Sequence, residues 1–278
     1  MAGRDRGMWL TLEVQDVQHL TPGLVRVTLG GEELAEYGAD QYTDHYTKLV
    51  LPPKGADYAP PFDQEEIKAT RPKDLWPIMR TYTVSSWDAA SRQITIDFVV
   101  HGDEGIAGPW AAAAKPGDLL QLSYPGGAYT PSPDADWHLL AGDSSVIPAI
   151  SASLERVPAG IPAHVFIEVD GPEEEVPLQS PGDLHLTWLH RSANTGDPDD
   201  LLAGAVRDFE FPDGNVHAFV HGEASAVRAL RKYLLGDLEV PRESVSISGY
   251  WKRRLTEDGW RENKKAWLAE AEADLEKV

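Results

Sequence analysis

Short runs alternating apolar and polar positions fill the first half of this 278-residue chain. Leu10–Val14, Leu24–Leu29, Tyr46–Leu51, Arg80–Ser85, Gln93–Val100 and Leu119–Ser123 each have strand character. Turn signals separate them, among them Thr21-Pro22-Gly23, Pro52-Pro53-Lys54-Gly55 and Lys115-Pro116-Gly117-Asp118. Six strands at this spacing predict a small antiparallel barrel. The proline-rich stretch Pro60–Ile78 predicts a long surface loop with a helical turn near Asp63–Ala69. Beyond a breaker-rich linker, Tyr124–Asp136, the pattern becomes an alternation of strand and helix. Strands are expected at Trp137–Ala141, His164–Val169, Leu184–Leu189, Val216–Val220 and Ser244–Ser248. Helices are expected at Val146–Val157, Asp199–Phe209 and Ala224–Leu235. Asp197-Pro198 supplies an N-cap followed by proline at the first helical position, and Val227, Leu230 and Leu234 recur at helical spacing. The expectation is a barrel domain over residues 1–132, then a Rossmann-like parallel α/β domain over 133–278 with an amphipathic C-terminal helix.

Composition narrows the chemistry. Hydrophobic residues make up 42% and charged residues 25%, ordinary for a globular chain. No signal-peptide core and no long uninterrupted apolar stretch is present, so a soluble cytoplasmic protein with no membrane partner is expected. A net charge of −20 repels phosphodiester backbones and argues against nucleic acid as a partner. The chain has no cysteine, which excludes disulfides, cysteine-ligated zinc, iron–sulfur clusters and thiol catalysis within it. Redox chemistry would need an organic cofactor or another kind of metal site.

The run Arg80-Thr81-Tyr82-Thr83-Val84 carries the most chemistry. On a strand, Arg80, Tyr82 and Val84 share one face and Thr81 and Thr83 the other. This is either an ordinary barrel strand or a flavin cradle, in which Arg80 neutralises a pyrophosphate and the Tyr82 ring lies against the isoalloxazine. One hairpin later, His101-Gly102 leads through Gly105-Ile106-Ala107-Gly108-Pro109-Trp110 into an alanine-rich helix start. Backbone amides there suit a pyrophosphate, and a turn that packs Trp110 into the core accounts for the same glycines. Gly142-Asp143-Ser144-Ser145 follows the first strand of the α/β half without Gly-x-Gly-x-x-Gly, and serves equally as helix cap or nucleotide contact. Gly222-Glu223 repeats the strand, glycine, helix arrangement on a later strand. From Lys252 to Lys265, six basic residues stand against three acidic ones. Arg261, Lys264 and Lys265 read as the solvated face of the helix; Lys252, Arg253 and Arg254, beside Tyr250 and Trp251, read as a site for an anionic ligand.

In order, Arg80-Thr-Tyr-Thr-Val, Asp97-Phe-Val-Val-His-Gly, the Gly105–Trp110 loop, Lys115-Pro-Gly-Asp, Ala141-Gly-Asp, Pro148-Ala-Ile, His221-Gly-Glu-Ala and Gly249-Tyr-Trp-Lys resemble the siderophore-interacting proteins. These are FAD-dependent ferric-siderophore reductases of the ferredoxin-reductase-like superfamily, and the resemblance runs from about residue 10 to 255. It implies an FAD-binding Greek-key barrel and a nicotinamide-nucleotide domain. Arg80, Thr81, Tyr82, Thr83, Val84, Asp97, Val99, His101, Ala107 and Gly108 would hold FAD. Gly142, Asp143, Ser144, Gly222 and Glu223 would meet NADH or NADPH. Lys48, Tyr250, Lys252 and Arg253 would meet an anionic ferric siderophore, with no metal ion or acid–base residue needed beyond the flavin. Two departures stand out. Ile106 and Gly108 replace the Pro and Ser of the family's usual Gly-Pro-Ala-Ser loop, and Ser144-Ser145 replace Glu-Thr. The tail past 255 resembles the longer members, which tend to use NADH; a ferredoxin is the alternative donor, and a monomer the expected state. The other functional readings are a general NAD(P)H:flavin oxidoreductase and a non-catalytic flavin or siderophore carrier.

Overall fold

The computed structural model describes residues 9–197 and 199–275. The chain divides into two compact units between Ala128 and Tyr129. In the first, β1 (Trp9–Thr21), β2 (Leu24–Gly30), β3 (Tyr46–Leu51), β4 (Ile78–Asp88), β5 (Gln93–Val99) and β6 (Leu119–Ser123) close a barrel in the order β1-β2-β5-β4-β3-β6. Every pairing is antiparallel, and the pairing of β6 with β1 closes the ring, so no strand edge is left open. The alternation seen in the sequence fills the interior: Leu10, Leu12, Val14, Val25, Val27, Leu29, Leu49, Ile94, Ile96, Phe98, Leu120 and Leu122 form one buried cluster. Strands β1 and β4 run well past the alternating segments, each through a register shift, at Val14/Asp16 and Val84/Ser86. The long loop contains α1 (Gln64–Thr70), whose first amides are capped by the Asp63 carboxylate. Phe62 is clasped to the Gln121 amide through both backbone groups. A seven-residue helix, α2 (Ala107–Ala113), closes against the barrel through Ala107 and Ala111.

The second unit is a five-stranded parallel sheet in the order β11-β10-β7-β8-β9. Its strands are β7 (Trp137–Asp143), β8 (Pro162–Val169), β9 (Asp183–His190), β10 (Val216–Glu223) and β11 (Val245–Trp251). Every residue of β7 is buried, as a central strand covered on both faces requires. Helix α3 (Ile147–Leu154) covers one face; α4 (Leu201–Asp208) and α5 (Ala224–Lys232) cover the other. Helix α4 begins at Leu201, later than expected, because Asp197 accepts the Asp199 amide in a separate turn; Pro198, the expected first helical residue, lies outside the described residues. Tyr129, within the expected linker, packs into the second core on His217 and Phe219. The tail forms α6 (Glu257–Leu275), seated on α5 by buried Trp260 and Trp267 and by ion pairs from Arg228 to Glu270 and Asp274 and from Arg231 to Glu272. No described helix is long and apolar enough to cross a membrane.

Truncating the fully buried Ile96 to alanine is expected to cost about 2–5 kcal/mol. A urea titration of Ile96→Ala beside the wild type measures this, and a loss below about 1 kcal/mol would mean that the barrel collapses around the cavity.

Candidate functional site

Strand β4 carries the arginine–tyrosine run, and its pairing with β3 fixes which way each side chain points. Opposed residues share a face: Arg80 stands across from Leu49 and Tyr82 from Thr47, whereas Thr81 stands across from Lys48 and Thr83 from Tyr46. Tyr82 is half-buried with its ring 4.6 Å from Phe98, and Phe98 lies 5.6 Å from Trp110 of α2. The phenol ring is therefore supported from the core side. Arg80 is half-buried and donates from Nη1 to the Met79 carbonyl at 2.9 Å, which keeps the guanidinium beside the strand. Thr81 is exposed. Thr83 and Val84 are buried, and the Val84 amide donates to the His45 carbonyl at 2.7 Å, so these two serve the barrel wall.

Asp97 is also committed to the barrel. Both of its oxygens accept from Arg26, its cross-strand partner, at 2.7 and 2.8 Å, and the carboxylate is buried. Past the half-buried Val99, exposed His101 opens a turn closed by the Glu104 amide on the His101 carbonyl. Gly102 and Gly105 have φ of 56° and 76°, and neither has an atom within 4 Å of where a Cβ would stand, so the loop presents open backbone. Its two acids, Asp103 and Glu104, are exposed and water-screened. Ala107 is buried, and Trp110 does pack on the core. At Gly108 a Cβ would meet the Val99 carbonyl at 2.9 Å, so the glycine comes from the close approach of α2 to β5, and a serine would press on that backbone. A guanidinium, open backbone and a ring supported from beneath are the kind of donors and surface that a flavin dinucleotide needs. Lys48 is exposed on the outer barrel face beside Thr81.

In the second unit the expected nucleotide residues converge at the carboxyl ends of β7 and β10. The buried Asp143 carboxylate accepts from the Ser145 amide (2.9 Å), the Ser145 hydroxyl (2.6 Å), the Glu223 amide (2.7 Å) and Trp251 Nε1 (2.9 Å). Gly222 has φ 122°, and a Cβ on it would collide with Asp143 Oδ2; one on Gly142 would meet Val146 at 2.7 Å. Glu223 is buried and caps α5 by accepting from the Ser225 and Ala226 amides, and it also accepts from the Arg253 amide. Ser144 is half-exposed at the start of a short 3-10 turn. These groups are tied first to one another.

The basic run after β11 is dispersed. Lys252 lines a cleft of about 300 Å³ between α5 and α6, with Arg228, Lys232, Trp267 and Asp274. Arg253 turns to the sheet edge, with Nη1 2.8 Å from Asp199 and Nη2 3.6 Å from Glu168, and exposed Arg254 occupies a left-handed turn. Tyr250 is half-buried and edge-on to His221. The sequence gives no pattern for the partners of this edge: Glu168, held by Arg191 and with its pKa raised by burial, and Asp199. Lys264, expected on a solvated face, is instead half-buried and reaches Ser248 at 3.4 Å, which lowers its pKa by desolvation. Its spacing of four from buried Trp260 is the signal that could have marked it. Among the described residues, no group of three or more His, Asp or Glu side chains could hold a metal ion.

A closed antiparallel barrel followed by a parallel α/β sheet is the architecture of the ferredoxin-reductase-like class. The chain belongs to the siderophore-interacting protein family: the siderophore-interacting FAD-binding domain model matches residues 13–129 and the siderophore-interacting protein model residues 135–254. An uncharacterized Mycobacterium tuberculosis protein is 42% identical, over 98% of this chain and 99% of that one. Ferric vibriobactin reductase ViuB of Vibrio cholerae is 36% identical, over 89% and 90%. Among solved structures, a siderophore utilization protein from T. fusca superposes with a TM-score of 0.76 at 35% identity, covering 90% of this chain and 95% of that one.

Two consequences can be measured. Gly108→Ser is expected to destabilise the barrel unit by about 1–3 kcal/mol in urea denaturation; a neutral result would mean that α2 shifts freely. Burial pulls His138 down to about 4 and His221 to about 3, whereas the unfolded rings titrate near 6.5. The unfolded chain therefore binds these protons first as pH falls. Their contribution to stability is complete above about pH 6.5 and is lost as pH falls through the folded values, at up to about 1.4 kcal/mol per pH unit for each ring. Urea midpoints across this range, with His138→Leu showing a shallower slope, check the assignment.

Proposed function

We propose that the protein is a ferric-siderophore reductase that takes hydride from NAD(P)H onto FAD and passes electrons to bound Fe(III)-siderophore, releasing Fe(II). The observation that carries this reading is the barrel site, where Arg80 and the supported Tyr82 ring stand on the strand of a domain whose family binds FAD and interacts with siderophores. The name of the ViuB relative, a ferric vibriobactin reductase, supports the same acceptor class.

Bound FAD supplies the exchange between a two-electron donor and one-electron acceptors. The side chains have simpler tasks. Arg80 neutralises the cofactor pyrophosphate, Tyr82 gives its ring a flat bed, and the open backbone at Gly102 and Gly105 lets the phosphates approach. Lys48, exposed on the barrel wall, attracts the anionic iron complex. Because hydride carries two electrons and each Fe(III) takes one, a single NAD(P)H serves two ferric complexes. Fe(II) binds hard siderophore oxygens far more weakly than Fe(III), so reduction is release.

FAD-loaded protein is mixed anaerobically with NADH, NADPH or a reduced ferredoxin and then with ferric catecholate and hydroxamate siderophores, with Fe(II) trapped by a ferrous chelator. Nucleotide-dependent Fe(II) at about two per nucleotide is expected from the electron count. Reduction of free flavin with no response to the siderophore would make the protein a general flavin reductase, and the absence of any donor-dependent signal would make it a carrier. Lys48→Ala is expected to weaken ferric-siderophore binding by about 1–3 kcal/mol with FAD content unchanged; unaltered affinity removes Lys48 from the acceptor site.

A further inference from the structure

We propose that Arg253 binds the pyrophosphate of the dinucleotide donor and leaves the siderophore to other cations, with Asp199 holding its guanidinium until the donor arrives. This rests on the reading that a nicotinamide dinucleotide is the electron donor. In an open parallel sheet a dinucleotide lies outside the carboxyl ends of the strands, at the point where the strand order reverses. Here β7, β8 and β9 run outward in one direction and β10 and β11 in the other, so the reversal falls between β7 and β10. The residues at those two strand ends are Asp143, Gly222 and Glu223.

That edge is acidic, and a doubly charged pyrophosphate needs a cation there. Two arginines lie along this carboxyl edge of the sheet, both touching Glu168 at the end of β8. Arg191 is gripped twice, by Asp170 at 2.7 Å and Glu168 at 3.1 Å. Arg253 has one close contact, with Asp199 at 2.8 Å, and a looser approach to Glu168 at 3.6 Å. Asp199 is half exposed, at 52%, and an ion pair so open to water contributes little, so Arg253 can change partners at small cost.

Its main chain, by contrast, is fixed. The Arg253 amide donates to Glu223 Oε1 at 3.1 Å, and two residues earlier Trp251 Nε1 donates to Asp143. The segment is pinned across the ends of β7 and β10 while the guanidinium pivots on a four-bond arm. A guanidinium offers a bidentate fork to phosphate oxygens, a stronger partner than one exposed carboxylate. Lys252, between the two pinned residues, lines the α5–α6 cleft instead, which separates the neighbouring cations into different sites.

The test uses FAD-loaded full-length protein and titrates NADH and NADPH by calorimetry, with ferric-siderophore affinity measured in parallel. Arg253→Ala is expected to weaken dinucleotide binding about tenfold or more, and Arg253→Lys to recover only part of it. Asp199→Asn, which removes the competing carboxylate, is expected to tighten dinucleotide binding about two- to fivefold, a gain that misfolding or a purely structural role would not produce. Siderophore affinity stays at the wild-type value in all three. Equal dinucleotide affinity in wild type and Arg253→Ala overturns the assignment while leaving the donor reading intact. Loss of siderophore binding in Arg253→Ala with dinucleotide affinity unchanged overturns it and returns the residue to the acceptor site. A wild type that binds neither nucleotide overturns both.

Discussion

Burying a carboxylate costs several kcal/mol unless its lone pairs all find donors. Asp143 satisfies that condition with four, drawn from the turn after β7, the end of β10 and the indole of β11. One side chain thereby sets the spacing of three strands at their carboxyl ends. Gly222 can have no side chain because Asp143 occupies its place, and Glu223, whose amide is held by Asp143, in turn holds the first amides of α5 and the amide of Arg253. The direction in which the chain leaves β11 follows from this network, and with it the separate destinations of Lys252 and Arg253.

The barrel solves a different problem. Closure leaves no open edge, and the site is built on its wall by aromatic support: Trp110 of α2, then Phe98, then Tyr82. A half-buried tyrosine held from one side keeps its ring orientation unaided, which under the proposed function lowers the entropy lost when the planar cofactor docks. The Arg26–Asp97 pair shows the opposite use of charge, since a buried carboxylate matched by a bidentate guanidinium ties β2 to β5.

Much of the fold was legible in residue order. The two-residue period of Leu10, Leu12 and Val14, and of Leu49 and Leu51, marked the barrel interior because a strand with one buried face must alternate. The uninterrupted apolar run at Trp137–Ala141 marked a strand covered on both faces. Element ends were less legible: β1 and β4 continue through bulges, and α4 starts after a turn that Asp197 organises. At the site, the run at Arg80 and Tyr82 was visible because i and i+2 on a strand must share a face. The fate of Asp97 was hidden, because its partner Arg26 is 71 residues away.

The sequence alone determined the two-part architecture, the exclusion of cysteine chemistry within it, and the strand that carries the arginine and tyrosine. All of these rest on local period and composition. Only the tertiary structure decided which charged groups are available and which are consumed, since that depends on neighbours distant in the chain: Arg253 with Glu168 and Asp199, Glu223 with the Arg253 amide, and Lys264 wrapped onto Ser248. A charge written in sequence is only a formal charge. Burial and pairing fix its role, and both are properties of the folded chain.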